Sequence, residues 1–335
     1  MSDHRPRLGI TMGDPSGIGC EISVKAYEEA RDVADIIVVG DADVMRKAMQ
    51  ICDVDFAVNA IDAVSEARFE ASVLDVLDVD NVDSTNHDWG DLRKEYGKAS
   101  LEYVEHAIDF ASDGDIDGIV TAPINKQSTQ MAGSDHAGHT GLLAERTGVM
   151  TYSMMLIEEN LRVTHVSTHV PLREACDLVT TENVLDTIYV TQDGLRDLGF
   201  EDPTIAVAGL NPHASDGGLL GDEDLEEIVP AVERAQKEGI DVEGPKSPDT
   251  VYVQAARGNY DCVVSMYHDE GHIPIKLLGF GKEGEVSGVN MTVGLPIVRT
   301  SVDHGTAFDI AGEGIASPRS MIDAIEVAVM AVRNR

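Results

Sequence analysis

The sequence predicts an α/β protein in which a mostly parallel sheet carries helices on both faces. Short apolar runs rich in β-branched residues alternate along the chain with amphipathic, helix-like stretches. That alternation is typical of parallel strands joined by helices. The chain has 335 residues, and 43% of them are hydrophobic, which allows one large or two medium domains with a sizeable core.

The elements follow from local patterns, taken in chain order. The apolar runs predict strands at residues 8–10, 36–40, 116–123, 161–168, 204–210 and 262–267. The amphipathic stretches predict helices at residues 21–31, 99–112, 181–198, 222–237 and 321–333. The last of these helices has a capped start at residues 317–320, and Pro318 fits there because a missing amide hydrogen does no harm in the first turn. No internal repeat or low-complexity linker marks a domain boundary.

Three histidines occupy matching places, each directly after a predicted strand: His169, His213 and His268. Ligands bind at the carboxyl ends of parallel strands in α/β sheets. Three imidazoles there could bind one divalent metal and leave a coordination position open for a substrate. One histidine at a strand end is ordinarily a satisfied polar residue. Three at the same topological place make an enzyme the leading hypothesis.

The formal charge is −35, with 60 acidic against 25 basic residues. The acidic residues are scattered over helix-like segments instead of forming a tail, so we expect a folded protein adapted to high intracellular salt. An ordinary acidic protein is the alternative. This charge argues against binding to nucleic acid, which requires cationic contacts to phosphate.

Compartment and membrane signals are weak in this chain. No apolar stretch is long enough to span a membrane, and the first residues lack the apolar core of a signal peptide. The four cysteines are far apart and form no CxxC pair. We therefore expect reduced thiols and a cytoplasmic location.

Two glycine-rich segments resemble phosphate-binding loops. Residues 279–284 match GxGxxG, but residues 285–293 look like loop and strand, whereas the dinucleotide fingerprint needs a helix there. We reject that match. Residues 13–19 lie between a strand and a helix and lack the lysine of a P-loop. Their amides could face an anion, or they could form a structural turn.

Several ordered motifs resemble known dehydrogenases. Residues 302–316 resemble the adenine-binding segment of the isocitrate and isopropylmalate dehydrogenases. Further motifs are similar to those of the 4-hydroxythreonine-4-phosphate dehydrogenase family, which includes relatives acting on 4-phospho-D-threonate and 4-phospho-D-erythronate. These motifs lie at residues 13–19, 121–126, 138–140, 211–214, 244–250 and 267–269. The resemblance runs from about residue 8 to residue 330.

The resemblance implies two α/β/α domains with mostly parallel sheets and an active-site cleft between them. Residues 1–125 together with 290–335 would form the cofactor-side domain. Residues 126–289 would form the domain for metal, substrate and dimerisation. It also implies a homodimer whose partner completes each site.

The resemblance further assigns roles to residues of this chain. His169, His213 and His268 would bind the metal, one of them from across the dimer. Lys276 and Asp249 would be catalytic, Asp249 lying near the metal. The substrate-binding residues would be His139, Thr140, Lys276, Asn290 and Arg299. The cofactor-binding residues would be His304, Gly305 and Asp309, in a segment that could otherwise be a structural turn.

The implied reaction is a metal-dependent, NAD-linked oxidative β-decarboxylation. The expected substrate is 4-phosphohydroxy-L-threonine, giving 3-amino-2-oxopropyl phosphate and CO2 for pyridoxal phosphate synthesis. The alternative substrate is 4-phospho-D-threonate or 4-phospho-D-erythronate, giving dihydroxyacetone phosphate. We expect NAD over NADP because no basic cluster suits a 2′-phosphate. The metal would be Zn, Co, Mn or Mg.

Individual roles keep their alternatives. Lys276 would relay a proton, or it would only pair with an anion. Arg299 would clamp an anion in bidentate fashion, or it would form a salt bridge at a strand end. The sequence departs from the family at Gly141, where Glu is frequent, and at residues 270–272, where Glu-Gly-His replaces Gln-Gly-Leu. Both departures point to an altered substrate preference.

Two other classes of function compete with the dehydrogenase. A metal-dependent hydrolase or lyase would use the three histidines to make a hydroxide nucleophile. That class leaves residues 304–316 unexplained. An inactive binding protein of the same fold is disfavoured, because all three histidines, Lys276 and Arg299 are present.

Overall fold

A computed structural model describes residues 5–134, 138–279 and 288–335. The chain divides into two compact units. Unit 1 comprises Met1–Gly148 and Pro296–Arg333, and unit 2 comprises Val149–Leu295 and Asn334–Arg335. The first boundary lies after Gly148, later in the chain than the predicted residue 125. It lies later because the helix Lys126–Ala132 packs on the helix Lys94–Asp113 of unit 1. Gly97 permits that contact, since a Cβ there would lie 2.0 Å from the Ser128 carbonyl oxygen.

The secondary structure alternates between strands and helices over the described ranges. The strands are β1 Arg7–Thr11, β2 Asp35–Gly40, β3 Ala57–Ile61, β4 Val73–Asp78, β5 Gly118–Thr121, β6 Ser153–Glu158, β7 Leu161–His165, β8 Ile205–Ala208, β9 Val242–Lys246, β10 Cys262–Ser265, β11 Val289–Val293 and β12 Val298–Val302. The helices are α1 Gly19–Ala30, α2 Ala42–Cys52, α3 Lys94–Asp113, α4 Lys126–Ala132, α5 His139–Thr147, α6 Leu172–Leu178, α7 Thr181–Asp197, α8 Val229–Lys237, α9 Pro248–Ala256, α10 His268–Gly279 and α11 Arg319–Asn334.

Unit 1 contains a parallel sheet with the strand order β3-β4-β2-β1-β5-β12. Its central strands are apolar and buried because helices pack against the sheet. The chain moves from β1 outward to β2 and later returns to β5 on the other side of β1. The loops after β1 and β5 therefore meet at a topological switch point, where open α/β sheets bind ligands.

Unit 2 contains a mixed sheet with the strand order β11-β6-β7-β10-β8-β9. Strands β7, β10, β8 and β9 are parallel, whereas β6 runs antiparallel to both β7 and β11. The three strands predicted to precede the histidines are the neighbours β7, β10 and β8. Their carboxyl ends therefore share one edge of the sheet.

The predicted α/β class is confirmed, and the local differences have physical causes. The stretch predicted as one helix at residues 222–237 begins with the π-helical turn Asp224–Ile228 before α8. Pro230 has no amide hydrogen for the regular bond to the preceding turn, which favours this irregular start. The rejected GxGxxG match begins at Gly279, the last residue of α10, and its remainder lies outside the described residues. No helix in the described ranges is both long and apolar enough to cross a membrane.

Candidate active site

Four histidine rings lie together where β7 and β10 end. The ring centroids are 5.5 Å apart for His169 and His268, 3.6 Å for His268 and His272, and 4.8 Å for His272 and His165. The rings of His268 and His272 are stacked with an interplanar angle of 11°. They are one helical turn apart on α10 and share its face. We call His165, His272 and His268 the histidine stack.

Hydrogen bonds assign the tautomers of two of these rings. Nδ1 of His165 lies 3.2 Å from the Met154 carbonyl oxygen, and Nδ1 of His268 lies 2.7 Å from Oδ1 of Asp269. A carbonyl or a carboxylate only accepts, so each Nδ1 carries a hydrogen, and Nε2 is the ring nitrogen left for another partner. A carboxylate that orients the second ring nitrogen is characteristic of metal-binding histidines.

His165 is buried and neutral. Burial, followed by the neighbouring imidazole of His272, lowers the pKa of His165 to about 3. Among the described residues, its buried Nε2 has no hydrogen-bond partner. Gly271 makes room for this ring, since a Cβ at residue 271 would lie 2.4 Å from the Nε2 atom of His165.

The loop after β8 places His213 on the surface in a left-handed conformation, with a φ of 55°. Its neighbours continue that conformation; the consecutive positive-φ residues are His213, Ala214, Ser215, Asp216, Gly217 and Gly218. This backbone is costly for residues with a Cβ. The fully buried carboxylate of Asp224 stabilises the loop by accepting hydrogen bonds from Leu210, Asn211 and Ser215.

The structure brings together two of the three predicted metal ligands. His169 and His268 are in ring contact, but His213 is not part of that group. Within the described ranges, no set of three or more His, Cys, Asp or Glu side chains has the arrangement of a metal site in one chain. Among the described residues, His169 and His268 therefore lie side by side, and the third predicted ligand does not lie with them.

The other predicted residues of unit 2 occupy different elements. Lys276 is half-buried on α10, one turn beyond His272 and on the same helix face. Asp249 is exposed near the start of α9, and its Oδ1 accepts a hydrogen bond of 2.7 Å from the Ser247 hydroxyl. Asn290 is half-buried on β11.

Glu270, one of the departures from the family, supports the backbone beside the histidines. Its buried carboxylate accepts a hydrogen bond of 2.5 Å from the Met266 amide, in the turn between β10 and α10. Burial raises the pKa of Glu270 to about 8, although hydrogen bonds from the Met266 and Tyr267 amides act in the opposite direction. Its role in this structure is to fix the start of α10.

Unit 1 contains a buried group suited to an anion. Arg299 on β12 is 2% exposed, and its Nη2 donates a hydrogen bond of 2.6 Å to the Thr121 hydroxyl on β5. Burial lowers the pKa of Arg299 to about 9. His139 and Thr140 begin α5. Burial, and then the charge of Arg299, lower the pKa of His139 well below its ordinary value. Among the described residues, the buried His139 Nε2 has no hydrogen-bond partner.

The predicted cofactor segment packs against the loop after β1. The Ile18 amide donates a hydrogen bond of 3.0 Å to the Thr306 carbonyl, and the Gly312 amide donates one of 2.6 Å to Glu21. Trp89 covers the segment so closely that a Cβ at residue 312 would lie 2.6 Å from its ring. His304, Gly305 and Asp309 belong to this segment, with Nδ1 of His304 lying 3.0 Å from the Gly305 carbonyl oxygen.

Residues 13–19 form an ordered loop at the switch point. Gly13 has a φ of 76°, and a Cβ there would lie 2.4 Å from the Pro123 carbonyl, so only glycine fits. The buried Asp14 accepts hydrogen bonds from the Ser16 amide and the Ser128 hydroxyl. Burial raises the pKa of Asp14. These hydrogen bonds favour the interpretation of the loop as a structural turn, which Asp14 links to α4 through Ser128.

Four residues of these sites were missed by sequence reasoning: His165, His272, Trp89 and Asp224. The spacing of four between His165 and His169, and between His268 and His272, was a usable signal, because the histidines of each pair lie near the same strand end. The only tryptophan in the chain, Trp89, was a weaker signal. No signal in the sequence marked Asp224, since it lies in an acidic run that resembles an exposed helix face.

Comparisons with known proteins agree with this geometry. The family model described as pyridoxal phosphate biosynthetic protein PdxA matches residues 32–328. A Clostridium botulinum protein with the provisional name D-threonate 4-phosphate dehydrogenase is 43% identical over 98% of this chain and 97% of its own. An Oceanobacillus iheyensis protein of the same provisional name is 44% identical over 97% of each chain. The crystal structure of 4-hydroxythreonine-4-phosphate dehydrogenase from Klebsiella pneumoniae has a TM-score of 0.86 and 40% identity, covering 99% of each chain.

The mostly parallel sheets, the histidines at one sheet edge and these relatives define the class of protein as a dehydrogenase. The chain belongs to the PdxA family, whose model spans most of its length. The predicted resemblance to the 4-hydroxythreonine-4-phosphate dehydrogenase family is thereby confirmed.

Proposed function

We propose that this protein catalyses the metal-dependent, NAD-linked oxidative decarboxylation of a 4-phosphorylated 3-hydroxy four-carbon acid. The observation that carries the proposal is the contact between His169 and His268, whose rings lie 5.5 Å apart at neighbouring strand ends. Asp269 orients His268 as a carboxylate orients a metal ligand. Metal binding by these two imidazoles is consistent with the activity of the dehydrogenases that this chain resembles.

The metal and the nicotinamide would supply the electrophilic chemistry. A divalent ion, when bound, supplies Lewis-acid stabilisation of negative charge on oxygen, and NAD supplies the hydride acceptor. His169 and His268 would hold the metal, and His213 of a partner subunit would complete the ligand set. Zn, Co, Mn and Mg remain the proposed metals, because imidazoles and substrate oxygens accommodate each of them.

The protein residues would bind and orient the substrate. Arg299, with its buried guanidinium, would pair with an anionic group of the substrate, and His139 and Thr140 would bind its phosphate. Asn290 would contribute a further polar contact. Lys276 would hold or move a proton at its ammonium group, with Asp249 as a nearby acid.

The cofactor would lie against the segment that contains His304, Gly305 and Asp309. Residues 303–316 contain no lysine or arginine, which favours NAD over NADP because a 2′-phosphate needs a cationic partner. Trp89 packs on this segment and is the only tryptophan, so its fluorescence should report cofactor binding.

The substrate is one of two chemical types that differ at the second carbon. The name of the Klebsiella protein supports 4-phosphohydroxy-L-threonine, with an amino group there. The provisional names of the relatives at 43% and 44% identity support D-threonate 4-phosphate, with a hydroxyl group there. These relatives make the threonate a full second candidate, alongside 4-phospho-D-erythronate. The products would be 3-amino-2-oxopropyl phosphate and dihydroxyacetone phosphate, respectively, each with CO2 and NADH.

The assay follows NADH formation with each of the three substrates in molar potassium chloride, with and without a chelator. Turnover of the amino substrate alone would support a role in pyridoxal phosphate synthesis. Turnover of the sugar acids alone would support the second candidate. Metal binding without NADH from any substrate would overturn the proposal and favour the hydrolase. His268→Ala is the matched variant, and it should lose activity in either supporting case.

We also propose a homodimer with shared active sites. Unit 2 exposes large apolar side chains on and near its ligand-bearing elements: Leu219 is 79%, Ile273 is 66% and Leu277 is 75% exposed. Such side chains are typical of an interface between subunits. Size-exclusion chromatography with light scattering tests the oligomeric state.

Mixed dimers test the shared site. His213→Ala and His268→Ala should each be inactive, but co-refolded mixtures should regain activity. If His213 crosses to the partner, one site of each mixed dimer keeps all three histidines. If one chain supplies all three histidines, neither site is intact and no activity returns.

The charge and the cysteines support a salt-rich cytoplasm as the location. The formal charge of −35 should destabilise the fold at low salt through self-repulsion. All four cysteines are free, as expected for a reducing compartment. We therefore expect the melting temperature to rise steeply from low to molar potassium chloride. A flat salt dependence would refute the adaptation to salt.

A further inference from the structure

The histidine stack gives the proposed metal ligand His268 a neighbour, His272, to which the proposed function assigns no role. His272 lies flat against His268, with centroids 3.6 Å apart and planes 11° apart. Its Nδ1 is 2.9 Å from the His268 carbonyl oxygen, so the backbone of α10 holds the second ring. Because a carbonyl only accepts, this Nδ1 is the donor.

His165 lies beside the stacked pair, with its ring tilted by 44° to that of His272 and its centroid 6.5 Å from that of His268. Its ring is 4.8 Å from that of His272, and it is 3% exposed. The Met154 carbonyl fixes its Nδ1, and the missing side chain of Gly271 gives it space. The buried His165 ring has little freedom to move. The His272 ring is therefore held in two ways, by its hydrogen bond to the His268 carbonyl and by its contact with His165.

We propose that His272, supported by His165, is a positioning residue that fixes the ring plane of His268 for metal binding. This inference rests on the proposed function only in taking His268 as a metal ligand. A free imidazole rotates about two side-chain bonds, and ordering it costs conformational entropy when the metal binds. A ring already held in place avoids part of that cost, which raises the metal affinity.

The stack also predicts which property of His272 matters. A flat aromatic ring can pack on His268 whether or not it contains nitrogen. A leucine fills similar space but cannot stack as a plane. The position should therefore tolerate phenylalanine better than leucine, whereas a residue that binds the metal or the substrate through nitrogen would tolerate neither.

The test is a titration of the full-length wild type and variants with Co²⁺, followed by the visible absorption of the bound ion and without substrate or NAD. His272→Leu should weaken Co²⁺ binding by about 10- to 100-fold and shift the spectrum, as expected for a residue that orients a ligand. His272→Phe should retain most of the wild-type affinity. His165→Leu should weaken binding in the same direction by a smaller factor. His106→Leu, at an exposed histidine on α3 of unit 1, is the matched control and should bind as the wild type does.

Two results would overturn the inference. Either His272→Leu binds Co²⁺ as tightly as the wild type does, or His272→Phe loses as much affinity as His272→Leu. Thermal melting of each variant identifies any that fails to fold. If His272→Leu does not fold, the Co²⁺ affinity of His272→Phe relative to the wild type decides between the two results. If the wild type itself binds no Co²⁺, the proposed metal site is wrong. If the wild type binds Co²⁺ and all variants bind it equally well, the metal site stands and only the role of His272 is wrong.

Discussion

Asn211 and Asp224 are joined by two hydrogen bonds that end on the same carboxylate oxygen. The Asn211 backbone amide lies 3.1 Å and its side-chain amide 2.8 Å from Oδ2 of Asp224. The Ser215 hydroxyl donates to the same oxygen at 2.6 Å. These bonds flank His213 on both sides along the chain. A buried carboxylate thus fixes a left-handed loop that would otherwise be strained.

Replacing Asp224 should release that loop. Four groups donate to this carboxylate, so Asp224→Asn places an amide donor against at least one other donor in either orientation. The buried group left unsatisfied costs about 1–3 kcal/mol in the free energy of unfolding. It should also weaken Co²⁺ binding if His213 is a ligand. Urea unfolding and a Co²⁺ titration measure the two effects. The control is Asp216→Asn, at an exposed site in the same loop where asparagine accepts the left-handed conformation. Equal stability of the two variants would contradict this account of the loop.

His87 should make stability depend on pH. It is 8% exposed, and burial lowers its pKa below that of a free imidazole. The His87 imidazole has a pKa of about 6.5 in the unfolded chain. Below that pH the unfolded chain binds a proton at His87 that the folded chain does not bind, so the free energy of unfolding decreases as the pH falls. The slope from this group is at most about 1.4 kcal/mol per pH unit. His87→Phe keeps the ring packing on Trp89 and should flatten the slope between about pH 6.5 and about pH 5. Urea unfolding across that range measures it, and an unchanged slope would show that His87 is not responsible.

Arg299 should matter more for anion binding than for stability. Its buried charge costs desolvation, so Arg299→Met should leave the melting temperature unchanged or raised. The same variant should lose the stabilisation that added inorganic phosphate gives the wild type, and it should raise the KM for substrate at least about 100-fold. Arg333→Met, at an exposed arginine of the same unit, is the control. Phosphate stabilisation that survives in Arg299→Met would place the anion elsewhere.

Gly312 should be needed for the cofactor segment. A methyl group at residue 312 would lie 2.6 Å from the Trp89 ring, so Gly312→Ala should displace the segment and weaken NADH binding. Gly114→Ala is the matched control, because Gly114 has a similar φ of 80° against 88°, but a methyl group added there would meet no atom within 4 Å. Both variants should lose about 1 kcal/mol in the free energy of unfolding from the positive φ. Only Gly312→Ala should show weaker NADH binding by fluorescence titration.

About half of the strands and helices in the described ranges were predicted, because the signals of those elements are local. Apolar runs and amphipathic periods predicted β2, β5, α3 and α7, with ends within a few residues of those observed. The irregular start of the helix predicted at residues 222–237 arose where Asp224 is buried and Pro230 lies in the first turn of α8. The helical pattern there does not reveal that one acidic residue points inward.

The sequence by itself determined the α/β class, the acidic surface and the placement of three histidines at strand ends, since each depends on the order of residues alone. Only the tertiary structure decided which side chains meet. It joined His268 to His169 and His272, left His213 outside that group, and put Arg299 beside Thr121. Such contacts depend on which strands are neighbours in the sheet and on how far a loop runs beyond its strand. Those are properties of packing between distant segments, and no local pattern encodes them.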